Sequence, residues 1–92
     1  SLFDLERQLS NFMDGSDMPT MNEVITQGRA SLPDLHLDMH VYAIAPGQRF
    51  VTINSQKLRE GSQIQAGLRV EHITREGVVL NYQGLRFLLP RE

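Results

Sequence analysis

Three potential metal ligands alternate along one short segment of this chain, His36, Asp38 and His40. Imidazole and carboxylate groups are ligands that zinc accepts at about 2.0–2.2 Å. In an extended strand, residues two apart share a face but lie about 6.5–7 Å from each other. Only neighbouring members of the set could therefore reach one ion without a strong bend. The pattern is more typical of the polar face of an amphipathic strand, with a metal-binding function as the alternative.

Residues suited to covalent or acid–base catalysis are dispersed. None of the serines lies in a Gly-x-Ser-x-Gly motif, and the chain has no cysteine. The glycine-rich dinucleotide motif and the phosphate loop are both absent. The acids do not group into a pair that a small domain could hold across a cleft. The sequence therefore predicts no catalytic residues and no cofactor, and it favours a binding module over an enzyme.

Charge argues against one class of partner. Nine Lys+Arg against eleven Asp+Glu give a net charge of −2 at pH 7. Nucleic-acid binders usually carry a basic patch, because neutralising phosphates supplies much of their affinity. Here the arginines are scattered singly among acids. We therefore expect no nucleic-acid partner.

The elements that must position these residues are short strands. Between residues 35 and 89, apolar runs alternate with turn signals at roughly 8–12-residue spacing, which is typical of a small β sandwich or barrel. The turn signals are Pro46-Gly47, Asn54-Ser55, Glu60-Gly61, Ala66-Gly67, Glu76-Gly77 and Gln83-Gly84. We expect a mainly β fold in which two three-stranded antiparallel sheets form a sandwich or partly open barrel. A break in the alternation at residues 71–72 predicts a β-bulge.

The longest predicted strand covers residues 35–44. Its odd-numbered residues are apolar and predicted to face inward, whereas the even-numbered residues face outward. The strand is a candidate edge strand, although an interior position explains the pattern equally well. An exposed edge can add a strand from a partner. The residues predicted to bind a partner are Met39, Val41, Tyr42 and Ala43, with Arg49 as a charge at the rim.

The first 31 residues differ in character. Leu2, Leu5, Leu9 and Phe12 form one apolar stripe, which predicts a helix over residues 2–13. A second short helix is expected from Thr20, whose spacing to Glu23 matches a capping box, to about Gly28. We divide the chain into an N-terminal helix and linker segment, 1–31, and a β domain, 32–92. The stripe could pack on the β domain, serve as a linker, or contact a neighbouring chain, including a second copy in a homodimer.

An ordered series of short motifs carries a family resemblance over residues 32–90. The series is Leu32-Pro33-x-Leu35, His40-Val41-Tyr42, Arg49-Phe50-Val51-x-Ile53-Asn54, Leu58-x-Glu60-Gly61, Gly67-Leu68, Ile73, Gly77-Val78-Val79-Leu80 and Gly84-x-x-Phe87-x-Leu89. It resembles the C-terminal periplasmic domain of the general secretion pathway protein B family of bacterial type II secretion. From Arg49 onward the chain is also similar to the homology region of the secretion protein C family and to pilus-assembly periplasmic domains.

The resemblance implies a periplasmic domain of an inner-membrane protein, with a cytoplasmic N-terminus and one membrane helix upstream of Ser1. It implies contact with the periplasmic N-terminal domains of the outer-membrane secretin, helping its assembly or its link to the inner membrane. In some systems it implies partnership with an inner-membrane ATPase that binds peptidoglycan. Attachment of this domain to peptidoglycan is an alternative envelope role. The matched residues would be turn glycines, Gly61, Gly67, Gly77 and Gly84, and core residues, Val41, Phe50, Leu80 and Phe87.

Overall fold

Seven strands and one short helix make up the structure, a computed structural model that describes residues 18–92. The elements are α1 (Met21–Thr26), β1 (Leu37–Val41), a 3-10 turn (Pro46–Gln48), β2 (Phe50–Ile53), β3 (Gln56–Leu58), β4 (Gln63–Gln65), β5 (Leu68–Ile73), β6 (Gly77–Tyr82) and β7 (Leu85–Pro90). The helix predicted over residues 2–13 lies outside the described residues. The helical part of residues 18–92 offers no candidate for a membrane-spanning segment.

The strands form two antiparallel sheets with the orders β1-β2-β3 and β4-β5-β6-β7, and neither sheet closes into a barrel. This confirms the predicted mainly β fold of two sheets, except that the second sheet has four strands. The additional strand, β4, has the sequence Gln-Ile-Gln and pairs with β5. With a single apolar residue it gives no alternating signal, so the sequence pattern could not show it.

Two of the hairpin turns follow directly from local chemistry. Asn54 and Ser55 join β2 to β3 with φ values of 51° and 67°, and Gln83 and Gly84 join β6 to β7 with φ values of 53° and 92°. Two consecutive residues with positive φ are the signature of a type I′ turn, whose twist matches that of the flanking strands. These two turns fix the register of their hairpins.

One glycine is required by close packing. A Cβ atom added at Gly77, the first residue of β6, would lie 2.3 Å from the carbonyl oxygen of Leu89 on β7. No side chain fits at that distance, so the start of β6 can approach the end of β7 only with glycine at this position.

The core is formed by buried side chains from both sheets and from α1. It contains Val24, Leu37, Val51, Ile53, Leu58, Leu68, Val70, Ile73, Val78, Leu80, Phe87 and Leu89. The predicted core positions Leu80 and Phe87 are confirmed, since both are fully buried. Burial of apolar side chains of this size contributes roughly 1.5–3 kcal/mol each before conformational entropy is subtracted.

Helix α1 covers the outer edge of β7. Its capping box is present, because the backbone N–H of Glu23 donates to Thr20 Oγ1 and the Glu23 carboxylate accepts from the Thr20 backbone. Thr20 forms a parallel bridge with Leu88, whose N–H donates to the Pro19 carbonyl at 2.9 Å. Val24 then enters the core with 0% exposure. Part of the predicted linker segment is thus packed against the β domain.

Strand β1 contains a bulge that reverses its predicted orientation. Leu37 pairs with Ile53, but beyond a register shift Met39 pairs with Thr52 and His40 with Val51. Because directly paired residues share a face, His40 lies on the inner face and Met39 on the outer face. The prediction that the odd-numbered residues face inward is therefore wrong after residue 37.

Two predicted core residues lie on the outer face instead, Val41 because of the shift in β1 and Phe50 because Val51 and Ile53 take the buried positions of β2. Val41 pairs with Phe50 on the outer face of the sheet, and both side chains are only half-buried. The Lys57 ammonium lies 4.6 Å from the centre of the Phe50 ring, in cation–π geometry. The bulge that the sequence predicts at residues 71–72 is confirmed, since the β5–β6 register shifts between Val70 and His72.

Candidate docking edge

Strand β1 lies at the edge of its sheet. Within residues 18–92 its only paired strand is β2, so its other side faces no strand of the described part of the chain. A hollow of about 220 Å³ runs beside it. The hollow is lined by Leu37, Asp38, Met39, His40, Arg91 and Glu92. The structure therefore provides both an edge and space next to it.

The register indicates which main-chain groups face this hollow. The Asn54 N–H donates to the His36 carbonyl at 2.9 Å, so this pair has its polar groups turned toward β2. Hydrogen-bonded and non-hydrogen-bonded pairs alternate along an antiparallel ladder. The pairs of Leu37 with Ile53 and of His40 with Val51 are then of the non-hydrogen-bonded kind. The N–H and C=O groups of Leu37 and His40 consequently point to the open edge.

The predicted partner-binding residues fall into two groups. Met39 is 51% exposed and lies on β1 together with half-buried Val41. Tyr42 and Ala43 follow the end of the strand and are also half-buried. Tyr42 is held by the guanidinium groups of Arg49 and Arg75, which lie 4.7 and 4.8 Å from the centre of its ring. Tyr42 is thus packed against two guanidinium groups at a half-buried site, and its contact with a partner stays a prediction.

Arg49 is engaged inside the molecule. Its side chain is only 17% exposed. Its Nε donates to the Ala43 carbonyl at 2.6 Å, and its Nη2 donates to the Ile44 carbonyl at 3.1 Å. Its Nη1 donates to Glu60 Oε2 at 3.3 Å. Arg49 therefore holds the segment that follows β1, and its role as a charge at the rim of a partner contact stays a prediction.

Glu60 connects this segment to the second sheet. The same oxygen that faces Arg49, Oε2, accepts a hydrogen bond from the Ile73 N–H at 2.8 Å. His72 Nδ1 lies 3.9 Å from that oxygen. A carboxylate with both a guanidinium and a backbone N–H as partners makes charge-assisted bonds, which are stronger than neutral ones. The chain following β1 is therefore attached to the end of β5.

The three potential metal ligands do not converge. His36 Nε2 lies 3.8 Å from Asp38 Oδ1, and the His36 side chain is 71% exposed. The other carboxylate oxygen of Asp38 accepts from the Ser55 N–H at 2.7 Å. His40 lies on the inner face, where its Nε2 is 2.6 Å from the Thr74 carbonyl oxygen. A carbonyl only accepts, so Nε2 is the donor and is unavailable to a metal.

Residues 18–92 contain no group of three or more potential metal-ligating side chains placed to hold an ion. The alternative of a metal site at His36, Asp38 and His40 is therefore not supported by their geometry, and the bulge in β1 gives the physical reason. It turns His40 to the opposite face from the one that a regular strand would give.

One exposed residue was not among the predicted contacts. Ile44 is 85% exposed and directly follows the half-buried Tyr42 and Ala43. Arg49 fixes its carbonyl, so the side chain is presented from an ordered backbone. Its signal in the sequence was an isoleucine at an outward-facing position of the strand pattern, just before the Pro46-Gly47 turn.

Comparison with known proteins adds the family. Residues 32–91 match the family model for type II secretion system protein B. General secretion pathway protein B from Dickeya dadantii (strain 3937) is 38% identical over 58 residues, which are 63% of this chain and 26% of that protein. General secretion pathway protein B from Klebsiella pneumoniae is 36% identical over 59 residues, 64% of this chain and 34% of that protein. The chain thus aligns with about a quarter to a third of the length of these relatives.

A solved structure agrees with the sequence matches. The crystal structure of Dickeya dadantii GspB from the type 2 secretion system superimposes with a TM-score of 0.61 at 37% identity, covering 64% of this chain and 70% of that one. The resemblance stated from the motifs is confirmed. Since the family model spans more than half of its residues, this chain belongs to the type II secretion system protein B family.

Proposed function

We propose that this domain is a non-catalytic docking module of a type II secretion system, which binds the periplasmic N-terminal domains of the outer-membrane secretin. Its position would be the periplasm, as the terminal domain of an inner-membrane protein. By holding the secretin it would assist secretin assembly or link the secretin to the inner membrane. Partnership with a peptidoglycan-binding ATPase stays a prediction of the family resemblance.

The observation that carries the proposal is the open edge of β1. The main-chain groups of Leu37 and His40 point away from β2 into the adjoining hollow. A partner strand placed there would extend the sheet β1-β2-β3 by one strand. Met39, Val41, Tyr42 and Ala43 are the residues that we assign to this contact.

The energetics favour a modest affinity. Each main-chain hydrogen bond contributes about 0.5–1.5 kcal/mol net, and ordering a partner strand costs conformational entropy. A strand as short as β1, Leu37–Val41, offers few such bonds. Side-chain contacts must therefore supply much of the free energy of binding. Arg49 would contribute by fixing the backbone of Ala43 and Ile44 before the partner arrives.

Isotope-labelled spectra of the domain, titrated with the purified secretin N-terminal domains, test the proposal. We expect the largest shifts in residues 37–44 and small shifts in β4, an edge strand of the other sheet. Shifts centred on β4, with residues 37–44 unchanged, would assign the docking edge elsewhere.

Crosslinking in intact envelopes provides a second test. The chain has no cysteine, so a single cysteine at Met39 can be compared with one at Gln65, an exposed edge residue of β4. We expect a secretin adduct from position 39 and none from position 65. Retention of the domain by purified cell-wall sacculi, without a secretin adduct, would favour the peptidoglycan role instead.

A further inference from the structure

We infer that the segment accepted by β1 is an amphipathic strand whose apolar side chains cover Met39 and Val41 on the outer face of the sheet. We call Met39, Val41 and Phe50 the outer strip. The inference rests on the proposed function, since it specifies the chemistry of the partner at that edge. It requires that every second residue of the partner strand is apolar. Strand addition through main-chain hydrogen bonds alone does not require this.

The outer strip exists because of the bulge in β1. A regular strand with Leu37 facing inward would also turn Met39 and Val41 into the core. The register shift after Leu37 instead pairs Met39 with Thr52 and Val41 with Phe50. The bulge residue, Asp38, is fixed by the hydrogen bond that its Oδ2 accepts from the Ser55 N–H. The apolar strip is therefore a stable feature of the fold.

The strip runs up to the open edge of the sheet. Thr52 and Lys57 continue the outer face on the β2 and β3 side, and the Lys57 ammonium covers the Phe50 ring. On the other side, Met39 is 51% exposed and lies on the edge strand itself. Within residues 18–92 no strand covers this end of the strip. The uncovered end of the outer strip therefore lies next to the main-chain groups of Leu37 and His40 that point to the open edge.

An extended chain is the occupant that fits both features. Outward N–H and C=O groups are satisfied in a ladder only by another extended backbone, which would lie about 4.8 Å away. Side chains of that strand directly opposite Met39 and Val41 would approach within about 4.5–5.5 Å between Cβ atoms. Apolar residues at these positions would remove Met39 from water, whereas charged residues would leave a buried charge unpaired.

The other face of the incoming strand meets a mainly polar environment, because Leu37, the apolar residue on that side of the hollow, is only 9% exposed. His40 lies on the inner side of β1, and Arg91 and Glu92 reach the same hollow from the end of β7. Residues of the partner that point to this side contact one imidazole, one guanidinium and one carboxylate. The partner strand should consequently alternate apolar residues with polar ones, with the apolar set on the side of the outer strip.

The test compares two kinds of variant in calorimetric titrations with the purified secretin N-terminal domains. Met39→Asp and the nearly isosteric Val41→Thr alter only the outer strip, with Met39→Leu as the matched control. His40→Pro removes an outward N–H that β2 does not use, with His40→Ala as its control. Spectra of each free variant establish that it is folded.

We expect Met39→Asp to weaken binding by about tenfold or more and Val41→Thr by a few-fold, while Met39→Leu changes affinity by less than about twofold. His40→Pro should weaken binding well beyond His40→Ala. If the edge variant loses affinity and the strip variants do not, the inference is overturned while the proposed function stands. If the unaltered domain does not bind, the proposed function itself fails.

Sedimentation of the unaltered domain and of Met39→Asp, each without a partner, tests whether a second copy of the domain occupies the edge. Pairing of β1 with β1 of a second copy would also cover the strip. A dimer that Met39→Asp dissociates would assign the strip to self-association and overturn the inference. A monomer at the concentrations used for titration supports a strand from another protein.

Discussion

The outer edges of β1 and β7 present the same backbone chemistry but have different surroundings. Along β7, the Leu88 N–H is bonded to Pro19 and α1 packs Val24 beneath it. Along β1, within the described part of the chain, a hollow takes the place of such a cover. Exposed edges invite non-specific pairing, so proteins generally cover or disrupt them. In this domain the capped helix covers the edge of β7, whereas the edge of β1 lies beside a hollow. The first edge therefore serves stability, and the second is the candidate for binding.

The largest effect on stability is expected where β6 and β7 approach most closely, next to the covered edge. Gly77→Ala places a Cβ atom 2.3 Å from the Leu89 carbonyl oxygen, so the two strands must separate. We expect a loss of about 3 kcal/mol or more in the free energy of unfolding, measured by urea denaturation. Gly84→Asn is the matched control, because nothing lies within 4 Å of a Cβ at that turn and asparagine tolerates its positive φ. Equal stability of the two variants would contradict this account of Gly77.

Removing the cover of β7 should have the next largest effect. Val24→Ala deletes two methyl groups from a fully buried site and should cost about 2 kcal/mol. Ile25→Ala, at a neighbouring residue that is half exposed, should cost less than about 0.5 kcal/mol. Hydrogen exchange of the Leu88 amide should accelerate in the first variant only. Unchanged protection of Leu88 would mean that α1 does not shield this edge.

The segment that follows β1 should loosen without the Arg49 side chain. Arg49→Ala removes the donors to Ala43 and Ile44 and leaves the partly buried Glu60 carboxylate with fewer partners. We expect a loss of about 1–2 kcal/mol, since both groups keep some contact with water. Hydrogen exchange should increase for residues 42–44 but not for β7. Arg49→Lys keeps the charge but lacks the guanidinium geometry, and it should restore only part of the protection.

The smallest effect should come from the turn between β2 and β3. Ser55 has a φ of 67°, a conformation in which glycine is less strained than serine. Ser55→Gly retains the N–H that donates to Asp38 and should raise the free energy of unfolding by about 0.5 kcal/mol. Replacing Asn54 by alanine should lower it, because its side-chain Oδ1 accepts from the His36 N–H. If the glycine acts only on the turn, Ser55→Gly should leave the affinity of the domain for the secretin N-terminal domains unchanged.

Local chemistry made much of this fold predictable. The turn at Gln83-Gly84 and the capping box at Thr20 depend on neighbouring residues, so the sequence signals them directly. The bulge at Asp38 depends on a hydrogen bond to Ser55, across a hairpin, and no period along the chain reports it. One missed residue therefore reversed every later side chain of β1. Arg49 was predicted as a charge at the rim, but its contacts lie 5–11 residues away along the chain and its burial could not be foreseen.

The extra residue in β1 has a consequence for how the two faces of this strand could change. The bulge at position 38 decides which side chains each face displays, because pairing the extra residue in the ladder would shift every later residue by one position and exchange the two faces. Deleting Asp38 would leave Leu37 beside Ile53, Met39 beside Thr52 and His40 beside Val51, so each side chain would stay on its present face and only the bulge would be lost. The loss of one residue at this position would thus straighten the edge without changing the side chains that it displays.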